Sequence, residues 1–313
     1  MQNPETDDLH DQAYAAFDRG ALKDASTHFA ALLRANPDSA NYHYMQALVH
    51  KYLGDWPTSL HHNLRSLELR GEPDESSQWN AGIAATAMGD WAEARRQWRA
   101  CSIKVPEGDG PIETDFGVVS IRLNAWSKGE TLFARRIDVV RARLLNVPLE
   151  ESGHRFGDIV LHDGASTGQR ETDGRQVPVF NALARLIPSD FQTFVAFVSC
   201  DNPNDLQDLL ESTAPGIGYA EDWTSSIVRF CLRCSYGTPH RHDEPEADGS
   251  WNPDRNLGIA AQSRHSVTRL LEEWQAKGPG RRVDAIETGE QKVPIAEDGF
   301  VWWRGPDEDD QGE

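Results

Sequence analysis

Cysteine is scarce in this chain, with 4 in 313 residues. Disulfide-held folds need a denser and regularly spaced set, so a packed core rather than covalent cross-links is expected to hold the fold. No run of about 18 apolar residues occurs, and residues 1–11 lack the basic start and apolar stretch of a secretory signal. These absences predict a cytoplasmic protein.

Positive charge is also in short supply. The chain has 31 Lys and Arg against 50 Asp and Glu, a formal net charge of −19. Nucleic-acid backbones and anionic membranes are themselves negative and are normally bound by clustered Lys and Arg. We therefore expect a basic protein or peptide as partner, and neither nucleic acid nor a membrane. Residues 305–313 contain the acidic run Asp307–Asp310 and predict a flexible acidic tail.

An internal repeat is present in the first third of the chain. Gly20, Gly54 and Gly89 are separated by intervals of 34 and 35 residues. At fixed distances after each glycine come a small residue, then a residue that is aromatic in two of the three units, then a closing proline or glycine. In chain order these are Ala25, Ser59 and Ala94, then Phe29, Asn63 and Trp98, then Pro37, Gly71 and Pro106.

This pattern resembles the tetratricopeptide repeat over residues 6–108. The resemblance implies a superhelix of three antiparallel helix pairs, because small residues let paired helices approach closely and glycine permits the turn between them. No polar capping helix follows Pro106, so we expect the next domain to cover the apolar side of the last helix, including Trp98.

The resemblance also implies that the first helix of each unit lines a concave face where a partner binds. The candidate partner-binding residues are His10, Tyr14, Tyr44, Lys51, Trp79 and Asn80. Exposed tyrosine and tryptophan there would anchor a peptide. Packing of Tyr44 or Trp79 against a neighbouring helix or the second domain is equally compatible with the sequence. Some family members hold an acidic C-terminal peptide with Lys and Asn, but His10 and Tyr14 replace them in the first unit.

The second part of the chain has a different pattern, with short β-branched runs separated by turn residues. We predict a mostly antiparallel α+β domain over residues 111–304, after a repeat domain over 1–110. It resembles only uncharacterised bacterial repeat proteins, which implies no chemistry. The predicted strands are 117–123, 131–136, 139–147, 158–162, 191–199 and 225–231, and the predicted helices begin after Asn202 and span 264–276.

Three smaller features complete the prediction for this domain. Residues 167–176 are polar and contain Asp173-Gly174, which predicts a surface loop. His162-Asp163-Gly164 is interpreted as a turn rather than an acid–base pair, because neighbouring strand residues point to opposite faces. Trp251, Trp302 and Trp303 are expected to pack rather than to form a ligand cage.

One cluster offers candidate metal ligands. Cys231, Cys234, His240 and His242 supply two thiolates and two imidazoles, the donors that tetrahedral zinc prefers. Their spacing differs from that of a standard zinc finger. The alternative is that the cysteines end a strand and the histidines lie in a solvated loop. One structural zinc ion is therefore an open hypothesis.

The sequence thus favours a non-catalytic protein-binding adaptor or inhibitor, such as a bacterial immunity-type protein that neutralises a basic toxin or effector. No nucleophile elbow, phosphate loop or dinucleotide fingerprint is present. The alternative is a zinc-dependent or otherwise catalytic C-terminal domain to which the repeats recruit substrate.

Overall fold

A computed structural model describes residues 4–127, 129–172, 174–227, 251–289 and 291–304. It has an N-terminal run of helices followed by mostly antiparallel sheets, so the predicted α+β class is confirmed. Within the described residues, no helix combines the length and the apolar composition needed to cross a bilayer.

The first part of the chain folds into TPR-like repeats, three antiparallel helix pairs. All three predicted turn glycines have positive φ, at 81° for Gly20, 73° for Gly54 and 72° for Gly89, which side chains rarely tolerate. The six helices are α1 (Pro4–Asp18), α2 (Leu22–Ala35), α3 (Ala40–Tyr52), α4 (Trp56–Arg70), α5 (Glu75–Met88) and α6 (Trp91–Ala100).

The second helix of each pair is capped by an aspartate, but the first pair obtains its cap from elsewhere. Asp55 and Asp90 directly follow their turn glycines, and each carboxylate accepts a backbone N–H of the next helical turn. Ala21 stands at the equivalent place in the first pair and makes no such bond. Asp298, near the C-terminus, fills the role instead: its Oδ1 accepts the Leu22 N–H at 2.7 Å.

A closed five-stranded barrel follows the repeats. Its strands are β1 (Val118–Leu123), β2 (Glu130–Arg136), β3 (Arg141–Leu144), β4 (Ile159–Thr172) and β5 (Arg175–Ile187). Consecutive strands pair antiparallel, so the first and fifth point the same way and close the barrel as a parallel pair. Buried aliphatic side chains from all five strands and Phe180 fill the interior.

Two predictions for this region are wrong. Residues 167–172 and 175–176 are not a loop: they belong to the strands of the long β4–β5 hairpin, where Gly168 pairs with Val179. The side chains of residues 167–171 and 175–176 are half-buried or exposed, so the run lacks the apolar face by which a strand is recognised. His162-Asp163-Gly164 does not end a strand either, because β4 continues through it with a shift of register between His162 and Ser166.

A second, four-stranded antiparallel sheet completes the chain. Its order is β7–β8–β6–β9, formed by β6 (Gln192–Cys200), β7 (Ile217–Asp222), β8 (Asp254–Ala261) and β9 (Arg281–Glu287). Helices α7 (Pro203–Leu210) and α9 (Arg264–Gln275) share its hydrophobic core, and α8 (Trp223–Ser226) is a single turn. The βαββαβ order is that of a ferredoxin-like unit.

The prediction of a strand over residues 225–231 is wrong for residues 225–227, the part that the structure describes. Residues 223–226 form a helical turn, because Asp222 caps it by accepting the Thr224 N–H at 3.1 Å and Trp223 anchors it in a small core with Val147. The strand after α7 is the earlier β7. Residues 228–231 lie outside the described part of the chain.

The barrel covers the end of the repeats, as the missing capping helix predicted. Trp98 is fully buried, in a core shared with Ile112, Val140 and Leu161 of the second part of the chain. Gly82 leaves room for its indole, and any side chain at that position would overlap the ring. The described contacts therefore cross the proposed boundary at residue 110.

Residues 291–304, the C-terminal segment, tie the first repeat to the barrel. Trp302 and Trp303 are buried in the core of the first repeat, which confirms the expectation that they pack. The Gly299 N–H donates to the carbonyl of Gly20 at 2.8 Å. On the barrel side, the Asn181 amide donates to the Trp302 carbonyl at 2.9 Å.

Candidate functional site

Four of the six predicted partner-binding residues lie together. Tyr44, Lys51, Trp79 and Asn80 line one cavity of about 610 Å³ on the inner side of α3 and α5. Opposite them lie β4 at Asp163–Ala165 and the end of the C-terminal segment. We call this space the groove cavity. Its remaining lining residues are Phe17, Leu48, Tyr52, Glu75, Ser76, Asp163, Gly164, Ala165, Trp303 and Arg304.

The other two candidates lie outside this cavity, in the first repeat. The His10 Nδ1 atom is 3.2 Å from the Tyr42 hydroxyl. Tyr14 packs edge-on against Phe29, with ring centroids 5.3 Å apart. Both side chains are half-buried, so they contribute to packing between α1, α2 and α3.

One of the residues expected to contact a partner, Lys51, is bonded to the barrel instead. The Lys51 ammonium donates to the Asn80 amide oxygen at 3.1 Å and to the two Asp163 carboxylate oxygens at 3.0 and 3.2 Å. Lys51 is 4% exposed. The inner face of the repeats thus already holds a carboxylate, and that carboxylate belongs to the chain's own β4.

Asp163 has further donors. The Tyr52 hydroxyl donates to its Oδ2 at 3.3 Å, and the Gly164 N–H donates to its Oδ1 at 2.7 Å. Burial and the nearby Asp163 charge raise the pKa of Tyr52 well above its ordinary value, so the phenol stays protonated and keeps donating. The Asp163 carboxylate is therefore paired with the Lys51 charge and accepts hydrogen bonds on both oxygens, which joins the repeats to the barrel.

Gly164 allows the barrel to come this close. A Cβ atom at this position would overlap the Trp79 indole. The Trp79 ring in turn lies edge-on to Trp98, at 5.4 Å between centroids, and so links the docked strand to the core beneath α6. A glycine inside a strand marks such a close approach, and it was the signal that could have identified this site from the sequence.

The groove cavity is also lined by polar side chains outside this cluster. Tyr44 is half-buried; burial raises the pKa of its hydroxyl, and Ser76 and Asn80 partly offset that shift. Glu75, in the first turn of α5, is exposed. Arg304 pairs with Asp18 at 2.7 Å.

The candidate zinc ligands Cys231, Cys234, His240 and His242 lie in residues 228–250, outside the described residues. Across the part of the chain that is described, no group of three or more His, Cys, Asp or Glu side chains is arranged to hold a metal ion. The zinc hypothesis stays a prediction from sequence.

No protein-family model and no curated protein matches this chain. Among solved structures, a CopN-Scc3 complex is similar at 17% identity and a TM-score of 0.30, over 32% of this chain and 58% of that one. A mutant O-GlcNAc transferase of Thermobaculum terrenum aligns at 17% identity and 0.29, over 32% of this chain and 20% of that one. A hypothetical protein from Neisseria gonorrhoeae aligns at 11% and 0.23, over 57% and 96%. Similarity this low establishes no function.

Proposed function

We propose that this protein is a non-catalytic adaptor or inhibitor that receives a segment of another protein in the groove cavity. One observation carries the proposal. The inner face of α3 and α5 stays open after β4 has docked onto it, and aromatic side chains, Tyr44, Trp79 and Trp303 among them, line the opening. Large rings with a polar edge are the side chains that most often anchor protein interfaces.

The electrostatics of the cavity favour binding over catalysis. Its buried ionisable groups, Lys51 and Asp163, bond to each other, and the half-buried Tyr52 donates to the same carboxylate. A general base needs a free lone pair within reach of a substrate, and the Asp163 carboxylate already accepts bonds on both oxygens. The mutual bonds of these groups hold one wall of the cavity in place, and a partner can pack against that wall.

The net charge of −19 supports a basic partner, because complementary charge steers association and suppresses wrong partners. An inhibitor with this chemistry would suit the role of an immunity-type protein that blocks a basic toxin or effector. The open cavity supports the general binding role, and the charge supports this narrower one.

The test is a selection of peptides from a random displayed library, followed by affinity measurements on purified protein. Tyr44→Ala removes a cavity wall and is expected to weaken the selected peptides about tenfold or more, as for an interface anchor. Tyr219→Ala is the matched control, since Tyr219 is an exposed tyrosine of β7 outside the cavity. Equal effects of the two variants would refute the proposal.

A further inference from the structure

We infer that the groove cavity takes one cationic side chain, lysine or arginine, from the partner segment, with Glu75 as its counter-charge. The inference rests on the proposed function and specifies the chemistry of the residue that enters the cavity. Its basis is the balance of charge around the cavity and the aromatic character of the walls.

The charges at the cavity cancel in pairs, with one exception. Lys51 is neutralised by Asp163, and Arg304 by Asp18. Glu75 is exposed and has no ion pair among the described residues. Glu75, in the first turn of α5, is therefore the carboxylate of the cavity wall that has no ion pair within the described part of the chain.

Aromatic faces attract cations through the negative potential above the ring. Two cations of the chain itself already use these walls: the Lys51 Nζ lies 4.5 Å from the centre of the Tyr52 ring, and the Arg304 Cζ lies 5.9 Å from that of Phe17. Each is also paired with a carboxylate. Glu75 and Tyr44 line the same cavity, and neither has a cation of the described chain as its ion-pair or cation–ring partner.

An acidic or a neutral apolar side chain fits the same cavity less well than a cationic one. An acidic side chain would meet both the Glu75 charge and the negative ring faces. A neutral apolar side chain would remove water from Glu75 without returning a partner to it, and desolvating an unpaired charge is costly. A cation compensates Glu75 and gains the ring contacts.

The experiment uses the full chain and three blocked peptides, acetyl-Gly-Ala-X-Ala-Gly-amide, in which X is lysine, norleucine or glutamate. Binding is followed by NMR at the indole N–H resonances of Trp79 and Trp303. The lysine peptide is expected to bind at least about fivefold more tightly than the norleucine peptide, the size of a cation–ring contact supported by a carboxylate. The glutamate peptide is expected to bind most weakly.

Two charge-removing variants locate the effect. Glu75→Gln is expected to abolish the lysine preference, whereas Glu72→Gln, which removes an exposed carboxylate outside the cavity, is expected to leave it intact. Equal binding of the lysine and norleucine peptides, no binding of the lysine peptide, or an unchanged preference in Glu75→Gln would each overturn the inference. In each of these cases the proposed function is still tested separately, by the effect of Tyr44→Ala on the library-selected peptides.

Discussion

Lys51 of α3 and Asp163 of β4 are 112 positions apart in the chain, and they form a buried, bidentate ion pair. This contact joins the repeats to the barrel and fixes one wall of the groove cavity. Its energetic role can be measured, because removing one member leaves the other charge buried and unpaired.

Asp163→Asn should therefore lower the free energy of unfolding by about 3–5 kcal/mol, measured by urea denaturation. The control is Asp115→Asn, which removes the carboxylate of the exposed Asp115–Arg135 pair and should cost at most about 1 kcal/mol. Similar small losses in both variants would mean that the Lys51–Asp163 pair does not hold the barrel on the repeats.

Gly164→Ala should destabilise the protein by about 1–3 kcal/mol, because the added methyl group would overlap the Trp79 indole. Gly110→Ala is the matched control, since a Cβ there meets no atom within 4 Å. Thermal unfolding of the two variants provides the measurement. An unchanged melting temperature for Gly164→Ala would show that strand and helix are not in close contact.

The sequence predicted the repeats well and this contact poorly. Local signals sufficed for the helices, because the turn glycines and the small residues each act within one unit. Asp163 was assigned to a turn because its partner Lys51 is distant in the chain, and a bulge hides the alternation by which a strand is recognised. The strands β5, β7, β8 and β9 were missed as well. The pairing of β8 and β9 with β6 is also non-local, whereas β5 pairs with the strand just before it and begins in a polar run.

The cap that Asp298 provides for α2 gives a third prediction. Asp298→Ala should cost about 1 kcal/mol and speed amide hydrogen exchange in α1 and α2. Ala21→Asp in the same chain should restore most of the loss, because it places an aspartate where Asp55 and Asp90 cap the other two pairs. Failure of this rescue would assign the effect of Asp298 to something other than capping.

The burial of Trp98 beneath the barrel gives a fourth prediction. A truncated chain that ends at Pro111 loses Val140 and Leu161, which cover the indole together with the repeats. Exposed apolar patches of this kind promote association. We expect this chain to aggregate or to melt earlier than the full protein, as seen by light scattering and circular dichroism. A monomer with an unchanged melting temperature would contradict the shared core.

Glu130 gives a prediction about pH. Burial raises the pKa of its carboxyl group to about 8, and the Leu149 N–H opposes the shift only partly. The folded state then holds a proton that the unfolded state has released between about pH 4.5 and about pH 8, so stability falls as pH rises through that window. Glu130→Gln should remove this part of the decline, while Glu113→Gln, at an exposed site, should not. Identical pH profiles for the two variants would contradict the assignment.

The most direct test of the central claim is a crystal structure of the full protein with a library-selected peptide. We predict that the peptide lies in the groove cavity, with one side chain against Tyr44 and Trp303 and with the Lys51–Asp163 pair intact. A peptide bound elsewhere, for example on the outer face of the repeats or on the four-stranded sheet, would contradict it.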